Sequence, residues 1–285
     1  MMFLLRLLSK LPLVVLHALG TLGGWLSWSL SPSYRARCAA NAGLAGLSAA
    51  DRRAAVGHAG RMIAELPWLW LRPVSRPLGS RVRWEGAELI EQALQASHGL
   101  VFMTPHMGCF EVTAQAYAER FAPQGCPVTV LYRPARKPWM REVVEQSRGR
   151  PGLATAPASL SGVRQMIRAL RRGEAVGLLP DQVPPQGLGV WADFFGQPAY
   201  TMTLGARLLQ QTGAASLAIF GERLSWGRGF VIHVRPGPDI PADSTPECAA
   251  ALINKAMEAV ILQQPSQYLW GYNRYKAPRP QEAEA

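Results

Sequence analysis

From residue 82 onward the chain alternates short apolar runs with amphipathic segments, and this alternation limits its fold more than any other feature. The apolar runs are 82–84 (VRW), 99–103 (GLVFM), 128–132 (VTVLY), 175–179 (AVGLL), 215–220 (ASLAIF) and 230–235 (FVIHVR). Short, largely unbroken apolar runs are how strands read when both faces of a sheet are covered. The segments 86–97, 110–121, 138–149, 160–172, 202–212 and 246–263 carry apolar residues three and four apart, as in Val163, Met166, Ile167 and Leu170. That spacing lines one face of a helix. Alternation of this kind predicts an α/β fold, with a mostly parallel sheet flanked by helices on both faces. The Pro/Gly-rich stretch PDQVPPQGLG at 180–189 lies inside the pattern and reads as a loop of the sheet, not a domain boundary.

The chain before residue 82 has a different character. Residues 11–30 (LPLVVLHALGTLGGWLSWSL) carry no formal charge beyond a possible one on His17. A helix of about 20 residues matches the thickness of a bilayer core. Trp25 and Trp28 sit near one end, where indoles favour the lipid–water boundary. Residues 1–30 are therefore expected to form a membrane-spanning or deeply inserted anchor, followed by one domain over 31–285. Two other readings stand beside it. A cleaved signal peptide would want a small-residue cleavage site, and none stands clearly here. A buried or surface-docked helix is favoured by Gly20, Gly23, Gly24 and His17, which weaken the hydropathy. The basic residues Arg35, Arg37, Arg52, Arg53, Arg61, Arg72 and Arg76 follow, a bias that keeps the domain behind an anchor on the cytoplasmic side.

Lys and Arg number 30 against 19 for Asp and Glu, a net charge of +11. Such an excess favours an anionic partner. Nucleic acid is not supported, because no binding module or Cys/His finger is present. The four cysteines are scattered, with no CxxC pair and no metal-ligand spacing. No metal and no cofactor is expected.

The densest chemical signal is VFMTPHMGCFEV at 101–112. His106 lies three residues past an apolar run, and Glu111 five residues further on. In open α/β sheets, sites lie beyond the carboxyl ends of strands. Five residues advance a helix by about 500°, so the two side chains cannot share one regular helix face. His106 is expected in the turn, with Glu111 in the first turns of the following helix. A carboxylate accepting from one ring nitrogen fixes the tautomer and raises the basicity of the other. No GxSxG elbow occurs anywhere in the sequence, so the acceptor substrate is expected to be activated directly, without an acyl-enzyme.

TPHMGCFE resembles the HxxxxD/E motif of the glycerolipid acyltransferase superfamily. VLYRPARKPWM is similar to its second block, LLPDQVPPQGLGVWADFFGQPAYTMTLGARLLQQTGA to its third and fourth, and QYLWGYNRYK to the closing signature of bacterial lipid A late acyltransferases. The four blocks cover roughly residues 100–276 in the right order. This resemblance implies a glycerolipid-acyltransferase-like mixed, mostly parallel sheet with an N-terminal apolar anchor helix. It implies His106 as general base and Glu111 as the group that orients it. Arg133 would contact acceptor phosphate or developing charge, Asp181 would organise the site, and Gln182 would hydrogen-bond substrate. The donor would be an acyl carrier protein thioester (or acyl-CoA), and the acceptor a hydroxyl of a lipid A precursor, or else another lysolipid or an ornithine-type lipid. The bacterial inner membrane would be the location.

Residues 133–150 add a separate observation. Six basic residues there face two glutamates, with Trp139 and Met140 interleaved, which suits a phosphate-bearing head group or an acidic carrier protein. A non-catalytic membrane-anchored protein that binds anionic lipid is the competing reading. The His106–Glu111 pair at a strand end is the feature against it.

Overall fold

The computed structural model describes residues 2–96, 98–132 and 149–280. The expected helix at 138–149 lies almost wholly outside the described residues. Seven strands form one sheet, in the order β1-β9-β8-β2-β5-β3-β4. They are β1 (Val82–Glu85), β2 (Leu100–Met103), β3 (Val128–Tyr132), β4 (Leu153–Pro157), β5 (Ala175–Leu178), β8 (Ala215–Arg223) and β9 (Phe230–Pro236). Every neighbouring pair is parallel except β8 and β9. The sheet is mixed and mostly parallel, as expected.

β2 shows why the short apolar runs are strands. All four of its residues are buried, and they alternate between two cores. Leu100 and Phe102 face α6 (Ala87–Gln95) and α7 (Phe110–Phe121), packing with Ile90, Val112, Tyr117 and Phe121. Val101 and Met103 face α8 (Leu160–Arg171), α9 (Leu204–Thr212) and α10 (Pro246–Ile261), packing with Met166, Leu170, Ile253 and Met257. A strand covered on both faces has no polar side and so reads as a continuous apolar run. The helices begin where their capping chemistry begins. Thr245 accepts from the Cys248 amide at 3.2 Å, Pro246 follows it, and Glu247 sits in the first turn.

Within the sheet region, three strands have no counterpart in the sequence reading. β4 is a short edge strand, LATAP, whose small residues give no apolar run. β6 (Gly189–Phe194) and β7 (Gln197–Met202) form a separate antiparallel hairpin. Its two turn residues, Phe195 and Gly196, both have positive φ, as a type I′ turn requires. Asn or Asp would normally announce such a turn, and Phe does not. β8 also runs further than expected, because Glu222 and Arg223 continue its pairing with β9 where the apolar run has already ended.

Five helices precede the sheet: α1 (Met2–Leu8), α2 (Leu13–Leu30), α3 (Pro32–Leu44), α4 (Ala49–Ala64) and α5 (Leu66–Trp70). α2 is 18 residues long with mean hydropathy 1.4, long and apolar enough to cross a membrane. It lies against α4 in close backbone contact. A Cβ added at Gly24 would run into the Val56 carbonyl, and one at Gly60 into the Gly20 carbonyl. Only glycines allow helices to approach so closely.

Candidate active site

The site forms where two neighbouring strands end. β2 and β5 are paired in parallel with Met103 opposite Leu178. Three residues further along each strand come His106 and Asp181. The pairing continues past the strand ends, with the Thr104 amide donating to the Leu178 carbonyl at 3.1 Å. The register therefore delivers the two side chains to the same place. From here α7 leaves over one face of the sheet, while the chain after β5 reaches α9 on the other. Such a divergence opens the crevice in which α/β proteins hold ligands.

His106 Nδ1 lies 2.7 Å from Asp181 Oδ1, and the His106 backbone N–H donates to Asp181 Oδ2 at 2.9 Å. Both carboxylate oxygens thus bond to His106. Burial alone would raise the Asp181 pKa, but the His106 charge and these two hydrogen bonds outweigh it and hold the carboxyl below its ordinary value. The imidazole keeps 18% exposure, while Asp181 keeps 2%. The Phe110 ring packs against the imidazole at 5.0 Å between centroids.

The turn 105–109 that carries His106 is tied down along its length. Leu269 N–H donates to the His106 carbonyl at 3.1 Å, Gly108 N–H to the Gln267 carbonyl at 2.9 Å, and Cys109 N–H to the Gly221 carbonyl at 2.8 Å. Gly108 has φ +54°, and a Cβ there would run into the Gly221 carbonyl oxygen. No other residue fits. Beneath it, Arg223 donates from Nη2 to the Gly108 carbonyl at 2.7 Å. Arg223 also pairs with Glu65, Nε to Oε2 at 2.7 Å, with both side chains fully buried. His17 of α2 reaches the same Glu65 oxygen at 3.2 Å. Burial opposes the charge on each partner, and the pairing overcomes it: the Glu65 pKa falls and the Arg223 pKa rises.

The closing segment 267–276 wraps behind the pair. Tyr268, buried, engages the Asp181 carboxylate; burial and that negative charge push its phenol well above the usual value. Arg274 donates to the Tyr200 carbonyl and to Thr201 Oγ1, both at 2.7 Å. Tyr272 accepts from the Val183 amide at 3.0 Å, which fixes the loop after Asp181.

Of the residues singled out in the sequence, His106 and Asp181 are brought into direct contact. Glu111 stands in the first turn of α7, as expected, and lines an apolar cleft with Phe102, Thr104, Phe110, Tyr117, Val130 and Leu179. The carboxylate at His106 Nδ1 is that of Asp181, 75 residues on. Gln182 is half-buried beside Asp181. Arg133 lies outside the described residues. Arg150, counted above with the basic stretch, is instead buried, donating to the Leu69 and Arg72 carbonyls at 3.2 and 2.7 Å. Burial lowers its pKa to about 10. Glu65, Arg223, Tyr268 and Arg274 escaped sequence reading. Only the closing block QYLWGYNRYK pointed towards the last two.

The model of a family described as bacterial lipid A biosynthesis acyltransferase matches residues 1–277. A lipid A biosynthesis palmitoleoyltransferase of Escherichia coli K12 is 30% identical over 224 residues, covering 76% of this chain and 68% of the relative. A lauroyltransferase of the same organism is 27% identical, covering 78% and 69%. A myristoyltransferase, also from E. coli K12, is 25% identical, covering 72% and 62%.

Proposed function

The chain belongs to the bacterial lipid A biosynthesis acyltransferase family, and on that premise we propose that it moves a fatty acyl group from an acyl carrier protein thioester to a hydroxyl of a lipid A precursor, with His106 as the general base. The observation that carries this reading is the His106–Asp181 pair at the strand ends, whose imidazole packs on Phe110, one of the residues lining the apolar cleft. With Asp181 accepting from Nδ1–H, the ring is held in the tautomer whose Nε2 can take a proton.

The acceptor hydroxyl loses its proton to Nε2 as its oxygen attacks the thioester carbonyl. The tetrahedral intermediate collapses with loss of the thiolate, which takes the proton from the imidazolium. The products are an ester and a free thiol. Asp181 stabilises the imidazolium while it exists. Glu111 lines the cleft and is proposed to orient the imidazole and stabilise the imidazolium. Arg133 is proposed to meet acceptor phosphate or the developing oxyanion, and Gln182 to hydrogen-bond substrate. The apolar cleft between α7 and the sheet suits the acyl chain. Residues 1–30 are proposed to hold the protein on the inner membrane, with residues 31–285 as the acyltransferase domain on the cytoplasmic side.

The test is an acyl-transfer assay. Membranes carrying the wild type or His106→Ala are offered carrier protein loaded with several chain lengths, together with a lipid A precursor. The expected result is a mass gain of one acyl group, absent in the variant. Transfer retained in His106→Ala would remove the histidine from the mechanism. Transfer only to other lysolipids would replace the acceptor and keep the reaction.

A further inference from the structure

The way α2 meets the membrane can be read from what packs on each side of it. Its inner side buries Leu13, Leu16, His17, Gly20 and Gly24. Its outer side exposes Val15, Leu19, Leu22, Leu26 and Leu30, one continuous stripe at helical spacing, with Leu22 at 68% and Leu30 at 73% exposure. α1 adds exposed Phe3, Leu4 and Leu7. A further bulky apolar group comes from far along the chain. Trp226, in the turn between β8 and β9, is 82% exposed with φ +60°. Its neighbour Gly227 touches the backbone of Leu13 and Val14, so this indole projects beside the start of α2.

The inner side rules on orientation. α4 lies against α2, with Gly60 and Arg61 beside Gly20 and Val56 beside Gly24. α4 also carries Asp51, Arg52, Arg53 and Arg61. If α2 ran across the bilayer, α4 would be carried to the same depth with its charges, which hydrocarbon penalises heavily. Glu65, joined to His17, and Arg223 would follow. The outer stripe has the opposite preference. The charges around it suit an anionic surface: Arg6, Lys10, Arg35 and Arg228 flank the apolar groups, and the Arg35 guanidinium lies over the Trp28 ring at 5.1 Å.

We propose that α1, the outer stripe of α2 and Trp226 form one face that seats in a single anionic leaflet, with α2 lying in the membrane plane, so that the β2–β5 crevice is held at the lipid surface and Trp226 is a second point of insertion. This rests on the reading that residues 1–30 hold the protein on the membrane.

The test uses the full chain in sealed inside-out vesicles of bacterial inner membrane and a membrane-impermeant thiol reagent. Ser9→Cys and Ser33→Cys report the two ends of α2, and the native, exposed Cys248 reports the side of the domain. The expected result is labelling of both engineered positions from the side that labels Cys248. Labelling of the two positions from opposite sides would overturn the in-plane seat while leaving the anchor intact. Recovery of the chain in the soluble fraction without detergent would sink the anchor reading itself. Trp226→Ser tests the second contact. It is expected to weaken binding to vesicles containing a third anionic lipid about tenfold, with transfer in detergent micelles unchanged. Unaltered vesicle binding would remove Trp226 from the membrane face.

Discussion

At the scale of single residues, the site depends on a carboxylate that has no solvent to fall back on. Asp181 is buried, and both its oxygens are used by His106. Asp181→Asn keeps the shape but removes the charge that favours the imidazolium. The expected outcome is a fall in kcat of about 10²–10⁴-fold with little change in KM. Wild-type turnover in that variant would free Asp181 from the mechanism, and Glu111→Gln run alongside separates the two carboxylates. Because its pKa is depressed in the fold, Asp181 contributes stability above the ordinary value of 3.8, and that contribution is lost as pH falls below it.

His58 behaves differently. Burial, then the charges of Arg223 and Arg61, lower its pKa from 6.5 to about 3. Between those values the unfolded chain binds a proton that the folded protein excludes. Stability is therefore expected to decline as pH drops from about 6.5, by on the order of a few kcal/mol in all. His58→Gln should flatten the midpoint of unfolding between pH 6 and 4. An unchanged slope would show that the ring protonates freely in the fold. Glu65→Gln should be costlier at neutral pH, about 3–5 kcal/mol, since it leaves Arg223 buried without its counter-charge. Unfolding in detergent measures this, and Glu65→Met with Arg223→Met should recover part of the loss.

At the scale of elements, the contact between α2 and α4 is set by glycine. Gly60→Val places a side chain where the Gly20 carbonyl already stands. The expected result is separation of the helices, with a loss of about 2 kcal/mol or more, together with reduced transfer, because His17, Glu65 and Arg223 link α2 to the turn that carries His106. A variant of native stability would mean the contact is slack. The strands and most helices of the sheet region were legible because burial on both faces leaves an unbroken apolar run, and because helix faces repeat. β4 and the β6–β7 hairpin were not. A small-residue edge strand carries no hydropathy signal, and a Phe-Gly turn carries none of the usual turn chemistry. The position of α2 was likewise closed to sequence: hydropathy measures how much a helix dislikes water, not which neighbour removes it from water.

At the scale of the whole molecule, the residues of the site come from five distant parts of the chain. His106 follows β2, Asp181 follows β5, Tyr268 and Arg274 close in from the C-terminal segment, and Glu65 with Arg223 supports the turn from below. The amino-acid sequence alone determined the alternating α/β plan, the apolar front end, the family blocks, and His106 as a residue at a strand end, because periodicity and short motifs are local properties. That the Asp181 carboxylate lies at the imidazole Nδ1 was decided only by the tertiary structure. Parallel pairing of Met103 with Leu178 puts residues 75 apart side by side, and strand register is fixed by packing both faces of the sheet at once, a condition that no local stretch of sequence contains.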